Sequence, residues 1–303
     1  MQTEHPSPRY STIDLWTPAE ILDAMMEGQL AAVAAVHAVR PALEQAALAI
    51  EARLRAGGRL VYAGAGTSGR LAVQDGAELM PTFSWPAERL VLLMAGGREA
   101  LLRAVEGAED EDEAAAARVR EHAIGDNDAL IAVAASGTTP FTVACLREAA
   151  ARGALTIGIA NNPNTPVLDL SEHPIWLDTG AEPIAGSTRM KAGTAQRVAL
   201  TVLSSLIMIR LGHVYGGLMV DVQASNTKLV RRSETILAQL TGRDRDKVRE
   251  ALRQAQGSVK LALLLLEGGA LDEATAALAQ SSGDLRAAKN LIEERRAGRK
   301  KRA

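Results

Sequence analysis

Residues 59–71 read RLVYAGAGTSGRL, and this stretch decides the fold. Its first five residues form a short, mostly apolar run, which predicts a strand buried on both faces. The glycines that follow allow a sharp turn, and the pattern then becomes helical. A buried strand that turns through glycines into a helix is the repeating unit of a parallel α/β sheet.

The same alternation continues towards the C-terminus. Four further apolar runs predict strands at 89–94, 129–134, 155–159 and 174–177. Helical patterns occupy residues 69–80, 110–122, 139–152 and 186–211. Five strands separated by helices favour an α/β fold with a flavodoxin-like, doubly wound, five-stranded parallel sheet.

Helical patterns flank this region on both sides. Residues 17–20 (TPAE) are a helix start signal, because a hydroxyl cap, a proline and a glutamate three residues after the cap occur together. Downstream, short helical patterns without a strand signal lie at 243–254, 258–266, 271–279 and 283–292. We expect a lead-in with N-terminal helices over 1–49, the α/β domain over 50–215, and a small helical appendage with a basic tail over 216–303.

Composition limits the class of protein. The 303 residues carry a formal charge of −2, so no global basic field points to nucleic acid. Aromatic residues make up only 3%, so the core must consist of alanine, leucine, valine and isoleucine. Cys145 is the single cysteine and the five histidines form no metal-binding pair, so we expect no metal site. A leading signal-peptide pattern is missing and the most apolar run, 199–209, is too short to span a bilayer, which favours a cytoplasmic protein that binds no membrane.

The first loop, residues 64–70 (GAGTSGR), is suited to a phosphate group. It follows the first strand and opens a helix, so its backbone amides and the helix dipole favour an anion. Gly66, Thr67 and Ser68 are the candidate binding residues, since the two hydroxyls add donors. The stretch is neither a Walker loop nor a dinucleotide fingerprint, because the lysine of the former and the spacing of the latter are missing.

The second loop, residues 135–140 (ASGTTP), has the same character. Its candidate binding residues are Ser136, Gly137, Thr138 and Thr139. Loops at the carboxyl ends of parallel strands meet where open α/β sheets bind ligands. Neither loop contains a lysine, which favours a monoester such as a sugar phosphate over a nucleoside triphosphate. The alternative is that both loops are helix caps that bind no ligand.

Together the two loops resemble the sugar isomerase (SIS) domain. Longer motifs resemble the N-acetylmuramic acid 6-phosphate etherase family over essentially the whole chain: TEHPSPRYSTIDL (3–15), DGAELMPTF (75–83), AVEGAED (104–110), GSTRMKAGTAQ (186–196) and YGGLMVDVQASNTKL (215–229). The glucokinase regulatory proteins are similar but larger, with two SIS domains. The resemblance implies a SIS fold and a sugar phosphate as the small-molecule ligand.

The activity that this resemblance implies is that of a lyase in cell-wall recycling. Such an enzyme cleaves the D-lactyl ether at C3 of N-acetylmuramic acid 6-phosphate, giving N-acetylglucosamine 6-phosphate and D-lactate. In the open-chain sugar the C1 aldehyde acidifies the C2 proton, so that a base removes it, lactate leaves, and water adds. These steps need a base, an acid and stabilisation of the enolate, and neither a metal nor a cofactor is expected.

Two glutamates are the candidate catalytic residues. Glu78 lies near the end of the helix that starts at the first loop, where an isolated glutamate is ordinarily a solvated surface charge. The resemblance makes Glu78 the acid that protonates the lactate oxygen. In the acidic run further on, the residues alone do not choose among Glu106, Glu109, Asp110, Glu111 and Asp112. The family motif selects Glu109, as the base at C2. Which of the two glutamates performs which proton-transfer step stays open.

The GSTRMKAGTAQ segment opens the longest predicted helix. From the SIS resemblance we expect Ser187, Thr188 and Lys191 near the sugar or the lactyl carboxylate, and Glu182 near sugar hydroxyls. SIS domains generally pair, and the Ala-rich N-terminal helices and the long helix that starts at Gly186 offer apolar faces, so we expect a homodimer. Two alternatives are a non-catalytic sugar-phosphate sensor, which needs neither catalytic glutamate, and an aldose–ketose isomerase, which shares the enediolate step.

Overall fold

A computed structural model of the chain describes residues 1–222 and 227–300. Five parallel strands form one sheet in the order β2-β1-β3-β4-β5, which is the flavodoxin-like order. The strands are β1 (Leu60–Gly64), β2 (Leu90–Met94), β3 (Ala129–Ala134), β4 (Leu155–Ala160) and β5 (His173–Trp176). The α/β fold with a doubly wound, five-stranded parallel sheet is therefore confirmed.

Helices cover both faces of this sheet. The helices of this part of the chain are α1 (Pro18–Ala38), α2 (Arg40–Arg55), α3 (Gly66–Phe83), α4 (Asp112–Glu121), α5 (Pro140–Ala151), α6 (Pro166–Asp169) and α7 (Lys191–Arg210). One apolar cluster joins α4 and α5 to β1, β2 and β3, whereas α2 contacts β3, β4 and β5. The Thr17 side chain caps α1 in the predicted capping box.

The core is built from small aliphatic side chains, as the composition predicts. All residues of β1, β3 and β4 are buried, and most of them are Ala, Val, Leu or Ile. Tyr62 and Phe141 are the largest side chains that are fully buried among the described residues. A sheet with such small side chains allows helices to approach it closely, which becomes important at the glycines of the first loop.

The chain folds as two compact units. The first comprises Met1–Glu78 and Pro86–Ile207, and the second Leu79–Trp85 and Met208–Ala303. The second unit contains α8 (Thr227–Thr241), α9 (Arg245–Gln254), α10 (Val259–Leu266), α11 (Leu271–Gln280), α12 (Leu285–Lys300) and a hairpin of β6 (Val214–Tyr215) and β7 (Leu218–Met219). Its helices share an apolar core of their own, and the end of the basic tail, 301–303, lies outside the described residues.

The hairpin and three helices, α8, α3 and α7, differ from the sequence-based expectation. The hairpin and α8 are additional: two-residue strands are too short to carry a hydrophobic period, whereas α8 is clearly amphipathic and was missed by the sequence reasoning. Helix α3 continues past Pro81 to Phe83, and the left-handed backbone of the next residue, Ser84 (φ 52°), terminates it. Helix α7 begins at Lys191, five residues after the predicted start, because residues 186–190 form turns.

Helix α7 is the one helix among the described residues that is long and apolar enough to cross a membrane by length and composition alone. More than half of its most apolar part is buried inside the protein. Burial of this kind is typical of the core helix of a folded domain.

Candidate active site

Three loops leave the sheet at the same edge. Gly64, the last residue of β1, is in register with Met94 at the end of β2 and with Val133 near the end of β3. The first loop, the second loop and residues 95–110 (here the acidic loop) therefore start at one level. The strand order reverses between β1 and β3, and open α/β sheets bind ligands at this switch point.

The first loop is shaped by a close approach of strand and helix. A methyl group on Gly69 would lie 2.6 Å from the carbonyl oxygen of Gly64, so both positions require glycine. Gly66 has a left-handed backbone with φ 53°. The first backbone bond of α3 runs from the Gly69 N–H to the Ala65 carbonyl at 2.9 Å, so the amides of 66–68 precede it and have no intrahelical acceptor. A helix N-terminus with such amides has the geometry and the dipole that favour an anion.

The second loop is held by its own hydroxyls and by one required glycine. Gly137 has φ 73°, and a methyl group there would lie 2.1 Å from Oγ1 of Thr165. Ser136 Oγ accepts a hydrogen bond from the Thr138 N–H at 3.2 Å and lies 3.1 Å from Thr139 Oγ1. The loop thus presents hydroxyls in front of α5, at the same edge as the first loop.

The acidic loop carries Glu109 on a single 3-10 turn, Ala108–Asp110. Gly107 precedes this turn with φ 74°, and the Glu109 side chain is exposed. Arg70, in the first turn of α3, ties this loop to the first loop, since its Nε donates to the Ala100 carbonyl at 2.8 Å and its Nη2 to the Arg103 carbonyl at 3.3 Å. Sequence reasoning missed this role of Arg70, although the residue ends the quoted GAGTSGR motif.

Residues 186–193 complete this edge of the sheet. A methyl group on Gly193, in the first turn of α7, would lie 3.6 Å from Cγ2 of Thr67. The start of α7 therefore packs against the first loop. Ser187 and Thr188 lie half-buried in the turns just before the helix. The structure thus brings these two residues to the same region as the first loop.

Glu182 and Lys191 are buried and bonded to the protein itself. The Glu182 carboxylate accepts from the backbone N–H of Lys191 at 2.9 Å and from that of Ala192 at 2.8 Å, which caps α7. The Lys191 ammonium donates to the Thr179 carbonyl at 2.7 Å. Burial lowers the pKa of Lys191 below its ordinary value, and the Glu182 charge offsets part of this change. In this structure both side chains support the start of α7.

Glu78 lies away from the loops of its own chain. Twelve residues separate it from Gly66 on α3, which corresponds to about 18 Å of helix. A methyl group on Gly76 would lie 3.3 Å from Cδ1 of Leu90, the first residue of β2, so this part of α3 lies beside the amino ends of the strands. The Glu78 side chain is exposed. The structure therefore brings Glu109 and the loops to one edge and leaves Glu78 outside it.

Two asparagines after β4 form a buried polar layer under the loops. Asn161 donates to the Leu177 carbonyl at 3.2 Å and accepts from Gln196 at 2.9 Å, and Asn162 donates to the Ala135 carbonyl at 2.8 Å. Sequence reasoning missed both asparagines, although a pair of amide side chains directly after an apolar strand was the available signal. Within residues 1–222 and 227–300, no group of three His, Cys, Asp or Glu side chains is placed to hold a metal ion.

Comparison with known proteins defines the class. The family model of the glucokinase regulatory protein N-terminal SIS domain matches residues 43–150, and that of the SIS domain matches residues 111–206. Together with the parallel sheet and its hydroxyl-rich loops, these matches make the chain a SIS-domain protein. The phosphoheptose isomerase from Francisella tularensis, a solved structure, is 21% identical over 64% of this chain and 100% of its own, with a TM-score of 0.48.

Curated relatives define the family more narrowly. The N-acetylmuramic acid 6-phosphate etherase of Deinococcus radiodurans is 52% identical over 268 residues, which are 88% of this chain and 88% of that protein. The protein of the same name from Rubrobacter xylanophilus is 43% identical over 94% of this chain and 95% of its own. The chain belongs to the N-acetylmuramic acid 6-phosphate etherase family.

Proposed function

We propose that this protein is a carbon–oxygen lyase that converts N-acetylmuramic acid 6-phosphate and water into N-acetylglucosamine 6-phosphate and D-lactate, in the recycling of cell-wall amino sugars. The observation that carries the proposal is family membership over nearly the whole chain at up to 52% identity. The loops at the carboxyl edge of the sheet support it, because they offer amides and hydroxyls to a phosphate. Among the described residues, no feature favours a non-catalytic sensor instead.

The phosphate is proposed to bind between the first and second loops. The amides of Gly66, Thr67 and Ser68 have no intrahelical acceptor and lie at the N-terminus of α3, where the helix dipole favours negative charge. The hydroxyls of Ser136 and Thr139 lie on the neighbouring loop and add donors. We assign contacts with the sugar beyond the phosphate to Ser187 and Thr188, which lie half-buried in the turns before α7.

The chemistry proceeds in two stages from the open-chain sugar. Glu109 removes the C2 proton, the electron pair moves into the C1 aldehyde as an enolate, and the C3–O bond breaks as an acid protonates the departing lactate oxygen. Water then adds its oxygen to C3 of the unsaturated aldehyde, and a proton returns to C2. We assign the acid, and the activation of water, to Glu78.

These roles require two chains at one site. Glu78 lies about 18 Å along α3 from the amides that bind the phosphate, a distance that a hexose 6-phosphate does not span. We therefore propose a homodimer in which Glu78 of one chain faces the loops and Glu109 of its partner. Glu78, which is exposed in the single chain, then becomes part of an enclosed site when two chains pair.

Helix α1 supplies a face for this pairing. Its buried residues are small, and Gly28 lies against the Lys191 side chain. On the opposite side an apolar stripe is exposed, formed by Leu22, Met26, Leu30 and Val33. A helix that is apolar on both sides is ordinarily covered on both sides, so we propose that the stripe packs against a second copy of the chain.

Two further assignments concern the location of the protein and its domains. A charged phosphomonoester does not cross a bilayer, which supports a cytoplasmic location for the enzyme that uses it. We also propose that residues 50–215 form the sugar-phosphate-binding domain, with 1–49 as its N-terminal helices and 216–303 as the helical appendage.

Release of D-lactate from N-acetylmuramic acid 6-phosphate tests the proposal. The wild-type chain is expected to release lactate, and Glu78→Gln and Glu109→Gln to lower kcat by about 100-fold or more, the usual effect of losing a general acid or base. Glu121→Gln and Glu111→Gln are matched controls, because both residues are exposed glutamates of the same unit. Tight sugar-phosphate binding without lactate release by the wild type would overturn the enzyme assignment in favour of a sensor.

Isotopes test the order of bond changes. In water labelled with ¹⁸O, elimination followed by addition places the label on C3 of the sugar and leaves the lactate hydroxyl unlabelled. In D₂O, the same route places one deuterium on C2. Label in the lactate hydroxyl, or product without deuterium at C2, would exclude the proposed route.

A further inference from the structure

Three segments of the chain meet at one residue near the N-terminus, Thr3. It is fully buried in a short 3-10 helix, Gln2–Glu4. Its N–H donates to Oδ1 of Asn162 at 3.3 Å, and its hydroxyl oxygen accepts from Nδ2 of the same side chain at 2.9 Å. Its carbonyl accepts from the Gly186 N–H at 2.9 Å. The asparagine and the threonine are thus paired through two complementary bonds.

Asn162 extends this pairing to the second loop. Its side chain is buried, and Nδ2 also donates to the carbonyl of Ala135 at 2.8 Å. Ala135 directly precedes Ser136, the first hydroxyl of the second loop. The neighbouring Asn161 N–H donates to the same carbonyl at 3.1 Å. A change at Thr3 therefore reaches the second loop through a single side chain.

Gly186 extends the pairing to the turns before α7. Its backbone is left-handed with φ 76°, and a methyl group there would lie 2.8 Å from the Glu4 carboxylate. Ser187 and Thr188 follow immediately. The N-terminal segment thus also packs against the residue that directly precedes Ser187 and Thr188.

We propose that Thr3 is a positioning residue: through Asn162 and Gly186 it sets the spacing between the second loop and residues 187–188, and so the affinity for the phosphorylated sugar. This inference rests on the proposed function. Thr3 is fully buried, so it acts through these two neighbours and not by touching the substrate. The pairing with Asn162 uses two groups of Thr3, its backbone N–H and its hydroxyl.

The variant Thr3→Val tests this role. It keeps the shape, the N–H and the carbonyl of the residue and removes only the hydroxyl, which leaves one N–H of Asn162 without this acceptor. We expect kcat/KM to fall about ten-fold, mainly through KM, and Thr3→Ser to restore it. Thr275→Val is the matched control, because the Thr275 hydroxyl is exposed on α11 and bonds the Leu271 carbonyl at 2.8 Å.

Hydrogen exchange separates positioning from a loss of folding. Thr3→Val is expected to speed amide exchange in 135–139 and 186–188 and to leave β1 and β3 unchanged, and added inorganic phosphate is expected to protect the second loop less than in the wild type. The proposal would be overturned if Thr3→Val had the KM and the exchange rates of the wild type. It would also be overturned if exchange rose uniformly along the chain and activity fell only in proportion to the folded fraction. A wild type without lactate release would instead overturn the proposed function, and the exchange and phosphate measurements would still decide the role of Thr3.

Discussion

At the scale of single residues, Asp128 and Arg59 form an ion pair at the amino ends of β3 and β1. Arg59 donates from its backbone N–H and Nε to Oδ1 at 2.9 and 3.0 Å, and from Nη2 to Oδ2 at 2.7 Å. Burial alone would raise the pKa of Asp128, but these bonds and the Gly125 N–H hold it below its ordinary value. The pair lies at the edge of the sheet opposite the loops, so its contribution is to stability.

The sign of the pH dependence follows from this lowered pKa. An aspartate whose pKa is depressed on folding stabilises the protein above its unfolded-state value of about 3.9, and this contribution is lost as the pH falls through the lower folded-state value. Asp128→Asn is expected to lower the free energy of unfolding by about 2 kcal/mol at pH 7. The difference in free energy of unfolding between Asp128→Asn and the wild type, measured by urea unfolding, should shrink below about pH 4. Lactate release at pH 7 is expected to stay unchanged. A constant difference across this pH range would contradict the assignment.

Cys145 is expected to be inert in the folded protein. Burial raises the pKa of its thiol to about 12, with only a partial opposing effect of Arg118, and its Sγ lies 3.8 Å from the Ala115 carbonyl. We expect no alkylation by iodoacetamide at pH 8 in buffer and complete alkylation in urea, measured by mass spectrometry. Rapid labelling of the folded protein would show that α5 opens locally.

At the scale of elements, the five strands of the parallel sheet were predictable from their apolar runs, whereas the start of α7 was not. β3 coincides with its predicted range, since a fully buried strand is a continuous run of Ala, Val, Leu and Ile. Before α7, the Gly186-Ser187-Thr188 sequence has the composition of a helix cap. The actual cap is Glu182, nine residues upstream of Lys191, and no local signal relates the two positions.

Glu182 could cap α7 or bind sugar hydroxyls, and a substitution distinguishes these two roles. Glu182→Gln keeps one acceptor oxygen and places an amide N–H against the other backbone N–H, so we expect a loss of about 1 kcal/mol in the free energy of unfolding. KM for the sugar phosphate is expected to change little if α7 stays in place. Thermal unfolding and KM measured on the same preparation check this. A raised KM with unchanged stability would instead assign Glu182 to sugar hydroxyls, as the SIS resemblance implies.

At the scale of the whole molecule, the family motifs can be recognised in the sequence, but their positions relative to one another in the folded chain cannot. The twelve residues between Gly66 and Glu78 can be counted in the sequence, but only the packing of α3 along the sheet places them at opposite edges. The bond from Asn162 to Thr3 joins positions 159 apart and follows from no local pattern. Long-range contacts of this kind arise from tertiary packing, which residue patterns alone do not specify.

The exposed stripe on α1 gives a prediction about assembly. Leu30 is 73% exposed in the single chain, and burying a leucine stabilises an interface by about 1.5–3 kcal/mol. Leu30→Glu is therefore expected to shift the protein from dimer to monomer in analytical ultracentrifugation. Ala31→Glu is the control, because Ala31 is also exposed but lies on another side of the helix. Dissociation by both variants, or by neither, would place the interface elsewhere.

A site built from two chains predicts complementation between inactive subunits. In a mixed dimer of Glu78→Gln and Glu109→Gln chains, one site receives Glu109 from the first chain and Glu78 from the second, and the other site lacks both. Random reassortment makes half of the dimers mixed, so a mixture of the two inactive proteins should regain about a quarter of the wild-type rate of lactate release. If both glutamates act within one chain, every site in the mixture lacks one of them and no activity returns. Mixing either variant with itself under the same conditions gives the baseline, and Leu30→Glu in both chains should abolish the recovery by preventing pairing.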